Sequence, residues 1–185
     1  MEATADGRRQ AQEYRDIVLA DNVAWWNATT GAKIQMSGLN AHLSYTPIDT
    51  AYVPAPMGGV LRKRLGDRFV TVGTSFDQGG YNFSAEGACP DDAKPAERPM
   101  TCKGQVPAAG ADYNEYVLDQ VRYRDFMLDT RTAPAAAKAW LSQARNTRLI
   151  GGGFWSPSQA VQAALGRSFD VVIHLHQVKA AQLLP

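Results

Sequence analysis

The chain has 185 residues, with 19 lysines and arginines against 18 aspartates and glutamates. That length suits one ordinary domain, which buries about two-thirds of the surface its unfolded state exposes. The near-zero net charge gives no general attraction to phosphate backbones or anionic lipid, so neither nucleic acid nor a membrane is an expected partner. No apolar run approaches the roughly 20 residues a bilayer-spanning helix needs. The opening residues Met1-Glu2-Ala3-Thr4-Ala5-Asp6-Gly7-Arg8-Arg9 lack the apolar core of a signal peptide, so the chain as written is expected in the cytoplasm.

Residues 8–28 read as a helix, with Tyr14, Ile17, Val18, Ala24 and Trp25 at helical spacing and Gly31 as its stop. Residues 33–37 read as a short strand, and Gly38 as a sharp exit that places His42 just beyond a strand end. The stretch 44–56 holds three prolines and little periodicity, the pattern of a loop or flap. Residues 57–65 form a short helix stopped by Gly66, and 69–76 a strand rich in β-formers. The region 78–112, with Gly79-Gly80, four prolines and both cysteines, is expected to be an irregular excursion. Helices at 113–121 and 134–144 alternate with strands at 123–129, 147–151 and 169–175. The pattern implies an α/β fold with an open, mostly parallel sheet and flanking helices, in a single domain over 1–185.

Cys89 and Cys102 both lie in the irregular region, where a disulfide would staple a long loop and imply an oxidising, exported setting. Two unrelated thiols in a cytosolic protein are the other reading, and composition does not choose between them. Neither cysteine has a second ligand two to four residues away, so no zinc motif is present.

Three histidines are the only side chains whose ordinary pKa lies near neutrality: His42, His174 and His176. His174 and His176 are two apart, on one face of a strand, a spacing compatible with a metal. With no partner ligand visible in the sequence, they read as solvated edge residues, and no metal or cofactor is expected. Gly73-Thr74-Ser75-Phe76-Asp77 lacks the last glycine of a serine-hydrolase elbow, so Ser75 is rejected as a nucleophile. No phosphate-binding or dinucleotide glycine motif occurs. Asp129, Arg131 and Arg148 read as salt-bridging or loop-anchoring residues.

The segments YRDIVLADNVAWW, SGLNAHLSY and MGGVLRKRLGDRFVTVGTSFDQGGY, followed by FMLDTR, RLIGGGF and FDVVIHL, resemble the second half of erythromycin esterase family proteins. In that family the strand before the site ends in H-N-A-H. Here Leu39-Asn40-Ala41-His42 keeps the second histidine and has leucine in place of the first. The resemblance implies water attack on a carboxylic ester or macrolide lactone without a metal. The histidine base and its glutamates belong to GExTHG-like motifs of the family's first half, which this chain does not contain. On that reading His42 is the candidate catalytic residue. It lines the site and hydrogen-bonds substrate, water or a carboxylate, while Asn40, Tyr45, Met57 and Gly58 are candidate substrate-binding residues. Leu39 cannot transfer a proton, so a non-catalytic binding or remnant domain is the competing expectation. Expected partners are a small-molecule ester or lactone, a second copy, or a complementary N-terminal half.

Overall fold

A computed structural model describes residues 4–85, 89–90, 94–95, 100–153 and 156–184. Helix α1 (Ala5–Thr30) starts where the Thr4 hydroxyl accepts the Gly7 N–H at 3.1 Å, and Asp6 sits in its first turn. Both satisfy the unpaired donors and positive end of a helix N-terminus. It ends at Gly31, whose φ of 66° is a conformation that favours glycine. The residues α1 buries are Asp16 and Ala20, whereas Tyr14, Trp25 and Trp26 are exposed.

The expected strand at 33–37 does not form. Met36 alone of this segment packs against the core, and a strand needs a neighbour to pair with its backbone. His42 therefore does not follow a strand; it lies in the one-turn helix α2 (Asn40–Leu43). The proline-bearing stretch 44–56 is irregular and anchored by buried Ile48 and Val53.

Helix α3 (Met57–Leu65) stops at Gly66 as expected. Its Leu61 and Met57 meet Ala20 of α1 in a core cluster that Val23, Leu43, Val60 and Phe69 complete. Gly58 allows the close approach of α3 to α2. A Cβ there would fall 2.0 Å from the Leu43 carbonyl oxygen.

Strand β1 (Val72–Ser84) extends well past the expected end at 76. The remaining elements are β2 (Lys94–Pro95), β3 (Thr101–Val106), α4 (Asn114–Asp119), β4 (Phe126–Asp129), α5 (Ala135–Leu141), β5 (Arg145–Thr147), β6 (Val161–Ala163), α6 (Leu165–Ser168) and β7 (Val171–Val178). Five strands form an open sheet in the order β2-β3-β1-β7-β4, and β5 and β6 form a two-stranded sheet. The fold is thus α/β with an open sheet and flanking helices, and its strand directions are mixed. β3 runs antiparallel to β1, from Gly79 opposite Val106 to Ser84 opposite Thr101, and β2 runs antiparallel to β3. The parallel pair is β1 with β7. Val171 N–H donates to Thr71 O at one end, and Gly79 lies against Val178 at the other. β4 runs opposite to β7, since Thr130 N–H donates to Asp170 O while His176 N–H donates to Asp125.

Residues 78–112 are accordingly not an irregular excursion throughout: they carry the second half of β1 and its antiparallel partner β3. Glycines at 79, 80 and 104 masked this pairing in the sequence by diluting the alternation that marks a strand. Cys89 and Cys102 form a disulfide, and Cys102 is wholly buried with Tyr81, Phe83 and Val106.

The chain divides into two compact units. Unit 1 comprises Met1–Gly73, Leu128–Ala144 and Gln162–Val172; unit 2 comprises Thr74–Met127, Arg145–Val161 and Ile173–Pro185. The reading of His174 and His176 as solvated edge residues is corrected by the strand order. β7 is an inner strand between β1 and β4, and His174 is fully buried.

Candidate active site

In unit 1, α1 and α2 bring a carboxylate to an imidazole. Both oxygens of Asp16 lie 2.9 Å from His42 Nδ1, and Oδ2 also accepts the Met57 N–H at 3.1 Å. Asp16 is inaccessible to solvent, while the His42 side chain is 16% exposed. A buried carboxylate is tolerated when hydrogen bonds replace its water, and these contacts do so. A carboxylate accepts and cannot donate, so the proton on this side of the ring sits on Nδ1. Nε2 is then the nitrogen left to meet solvent or a ligand.

A second polar group of unit 1 surrounds Tyr45. Its hydroxyl donates to Asp170 Oδ2, which also accepts the Thr71 N–H at 3.0 Å. Arg62 Nη1 donates to the Phe69 carbonyl at 3.1 Å, and its guanidinium lies over the Tyr45 ring, 5.1 Å from the centroid. Burial, and then the bond to Asp170, raises the Tyr45 pKa above its usual value, so the phenol keeps its proton. Tyr45, Arg62, Arg131, Lys138, Phe169 and Asp170 are among the residues that line a pocket of about 410 Å³. Arg62, Arg131 and Lys138 give this lining more positive than negative side chains, which suits carbonyl or carboxylate oxygens. Arg131 is held by Asp129 through contacts of 2.6 and 2.9 Å, and this bonding lowers the Asp129 carboxyl to about 2. That pair is the salt bridge expected from the sequence.

Of the candidate catalytic and substrate-binding residues, Tyr45 alone lines the pocket, beside Arg131 of the expected salt bridge. His42 and Met57 meet through Asp16, with the Met57 side chain buried in the core. Gly58 is buried against the Leu43 and Ser44 backbone. Asn40 opens α2, and its carbonyl accepts the Ser44 N–H. The sequence reading missed Asp16, Arg62 and Asp170. Asp16 carries a usable signal: it lies four residues before Ala20 and seven before Val23, on the helix face that packs into the core. An acid on a buried face requires a partner, and His42 is that partner.

Unit 2 holds a buried carboxyl of its own. Glu115 accepts the Arg148 N–H at 3.0 Å through Oε1, while Oε2 makes no hydrogen bond among the described residues. Burial pushes its pKa up to about 7, against the opposing effect of these bonds and of Arg148. Arg148 itself donates to the carbonyls of Asp77 and Pro107, the loop-anchoring role expected of it. Ser75 lies within β1 and not on a strand-to-helix turn, so it lacks the setting of a hydrolase elbow.

Fold and site together define an α/β domain that carries a buried carboxylate–imidazole pair and a cationic pocket. The erythromycin esterase family model matches residues 2–178, and the chain belongs to that family. Among solved structures, a Bacillus cereus protein is 25% identical with a TM-score of 0.78; the alignment covers 97% of this chain and 42% of that one. A succinoglycan biosynthesis protein is 23% identical with a TM-score of 0.79, over 93% of this chain and 40% of its own. A mutant erythromycin esterase in its open conformation is 19% identical with a TM-score of 0.61, over 89% of this chain and 37% of its own. The chain thus spans about two-fifths of the solved structures it resembles. No curated protein sequence matches it significantly. No helix among the described residues is long and apolar enough to cross a membrane.

Proposed function

We propose that this chain is the part of a carboxylic-ester hydrolase that carries one proton-transfer residue and binds the substrate, with a small-molecule ester or lactone, macrolides included, as the substrate class. The observation that carries the reading is the Asp16–His42 pair, in which a buried carboxylate fixes Nδ1 and leaves Nε2 for the reacting group. Ester hydrolysis needs a base to activate water and a proton for the leaving alkoxide. The family resemblance puts the first task on residues outside this chain, which leaves His42 the second: in its doubly protonated form the ring gives the Nε2 proton to the alkoxide, and it regains a proton from the one that the base takes from water. Asp16 contributes by holding the ring in one tautomer and orientation, as the acid of a catalytic triad does. The cationic lining around Tyr45 fits the substrate's carbonyl oxygens.

Two further parts of the proposal draw support from the structure. The disulfide between Cys89 and Cys102 supports an oxidising compartment. Exposed Tyr14, Trp25 and Trp26 on α1 support a partner that covers this helix, whether a complementary half or a second copy.

The test measures hydrolysis of activated aryl esters and of a macrolide lactone, with ring opening read as the gain of one water by mass spectrometry. The chain is assayed alone and with a complementary first half of a family member. Hydrolysis that appears with the complement and falls about 10²- to 10⁴-fold in His42→Ala supports the proposal. In Asp16→Asn the fall should come in kcat with KM little changed. Complemented activity indifferent to His42→Ala would refute it, and would favour the competing reading of a non-catalytic binding domain.

A further inference from the structure

Unit 2 brings together four side chains that the ester-hydrolase reading does not use. Asp77 of β1, Asp119 of α4 and His176 of β7 each present one ligand atom, and the three atoms lie within 4.8 Å of one another. His176 Nδ1 is 2.6 Å from Asp119 Oδ1. An ordinary ion pair between these two would account for that contact, but it leaves two neighbours unexplained. Asp77 is buried with one oxygen on the Ala109 N–H at 2.9 Å, and its carboxylate faces the pair. His174 is wholly inaccessible, and its Nε2 makes no hydrogen bond among the described residues. That atom points at the same Asp119 oxygen from 3.6 Å.

The other nitrogen of His174, Nδ1, is 3.2 Å from Ser75 Oγ. With the proton on Nδ1 and donated to Ser75, Nε2 presents a buried lone pair to the Asp119 carboxylate, acceptor against acceptor. With the proton on Nε2, the 3.6 Å separation is too long for a hydrogen bond, and a buried donor goes unused. A cation among these atoms resolves both arrangements. We propose that Asp77, Asp119, His174 and His176 bind a divalent first-row transition metal, with zinc as the reference ion.

The chemistry of the donor set favours that class. Two imidazoles and two carboxylates make a four-ligand site whose formal charge balances a dication, and imidazole selects zinc and its neighbours over magnesium or calcium. The supporting bonds are of the kind that orient metal ligands. Ser75 holds His174 Nδ1, Ala109 N–H holds Asp77, and Asp125 accepts the His176 backbone N–H at 2.9 Å. His176 and Asp119 keep 21% and 16% of their side chains exposed, which gives an ion a way in. Both histidines come from one inner strand at a spacing of two, so the backbone fixes their separation before any ion arrives. No residue of the Asp16–His42 site takes part.

The experiment uses the full chain, stripped with chelator and dialysed, and adds zinc, magnesium or calcium alone. Isothermal titration should find one zinc bound per chain, with a rise in Tm that magnesium and calcium do not produce. Cobalt in place of zinc should give a visible d–d absorption. His176→Ala should weaken zinc binding at least about 100-fold, and Ser75→Ala, which acts only by positioning His174, about 10- to 100-fold. Because a change at His176 risks the fold, Asp119→Asn is the second variant, and both are compared with the wild type by metal-free Tm. Zinc binding that persists in both variants, that disappears instead in His42→Ala, or that never reaches one equivalent overturns the site.

Discussion

Replacing Glu115 by glutamine should remove a stability cost that the wild-type protein incurs as pH rises. The carboxyl is 1% exposed, its Oε2 has no hydrogen-bond partner among the described residues, and burial raises it from 4.5 to about 7. A group bound more tightly to its proton when folded stabilises the fold fully below its unfolded value. That contribution is lost as pH climbs through the folded value. For a carboxyl moved from 4.5 to about 7 the loss totals about 3 kcal/mol. Glutamine matches the shape, keeps an oxygen for the Arg148 N–H and carries no charge. The difference in unfolding free energy between variant and wild type should therefore be small at about pH 4 and grow through the interval. It should level off at about 3 kcal/mol in favour of the variant above about pH 8. Urea unfolding of both proteins across that range, with chelator present to keep metal out of the comparison, gives the curve directly. A difference that stays flat with pH, or that favours the wild type at alkaline pH, would refute the reasoning. Glu115 would then be ionised in the fold at no cost.

Two other substitutions probe the packing. Gly58→Ala puts a methyl carbon 2.0 Å from the Leu43 carbonyl oxygen, so α3 and α2 must separate, and a loss of about 1–3 kcal/mol in urea unfolding is expected. A fully stable variant would mean that α3 sits farther from α2 than described. Serine at both 89 and 102 opens a disulfide that spans 13 residues, which should cost about 3 kcal/mol. Reductant should lower the wild-type Tm toward that of the double variant and leave the double variant unmoved.

Elements whose signals are local were legible in the sequence. Gly31 and Gly66 end α1 and α3 where expected, because a left-handed residue stops a helix whatever surrounds it. The 33–37 segment has the composition of a strand, yet composition supplies no partner, and the sheet offers none. The reverse error hid the β1–β3 hairpin. Its pairing is fixed by register between residues some twenty apart, and glycine and proline between them look like loop. On α1 the residues at helical spacing divide: Ile17, Val18 and Ala24 are half-buried, but the largest, Tyr14 and Trp25, face outward. Tyr14, Trp25 and Trp26 are exposed, while the small Ala20 packs into the core.

The site follows the same division. His42 could be picked out because an imidazole is rare in this chain, but its carboxylate partner lies 26 residues earlier, beyond any motif-sized window. The Asp16 signal lies in its position on the helix, within the YRDIVLADNVAWW segment that carries the family resemblance. An acid on the buried face of a helix is costly unless something satisfies it, so its presence predicts a partner across the helix interface. The His174–His176 pair teaches the converse. Two histidines on one strand face have no further ligand near them in the sequence, yet the fold brings Asp77 and Asp119 close to His176 from β1 and α4, about 99 and 57 residues away along the chain. A spacing of two on a strand tells which side chains share a face. The strand's place in the sheet decides whether that face meets water or buried carboxylates, and β7, inside the sheet, faces the carboxylates.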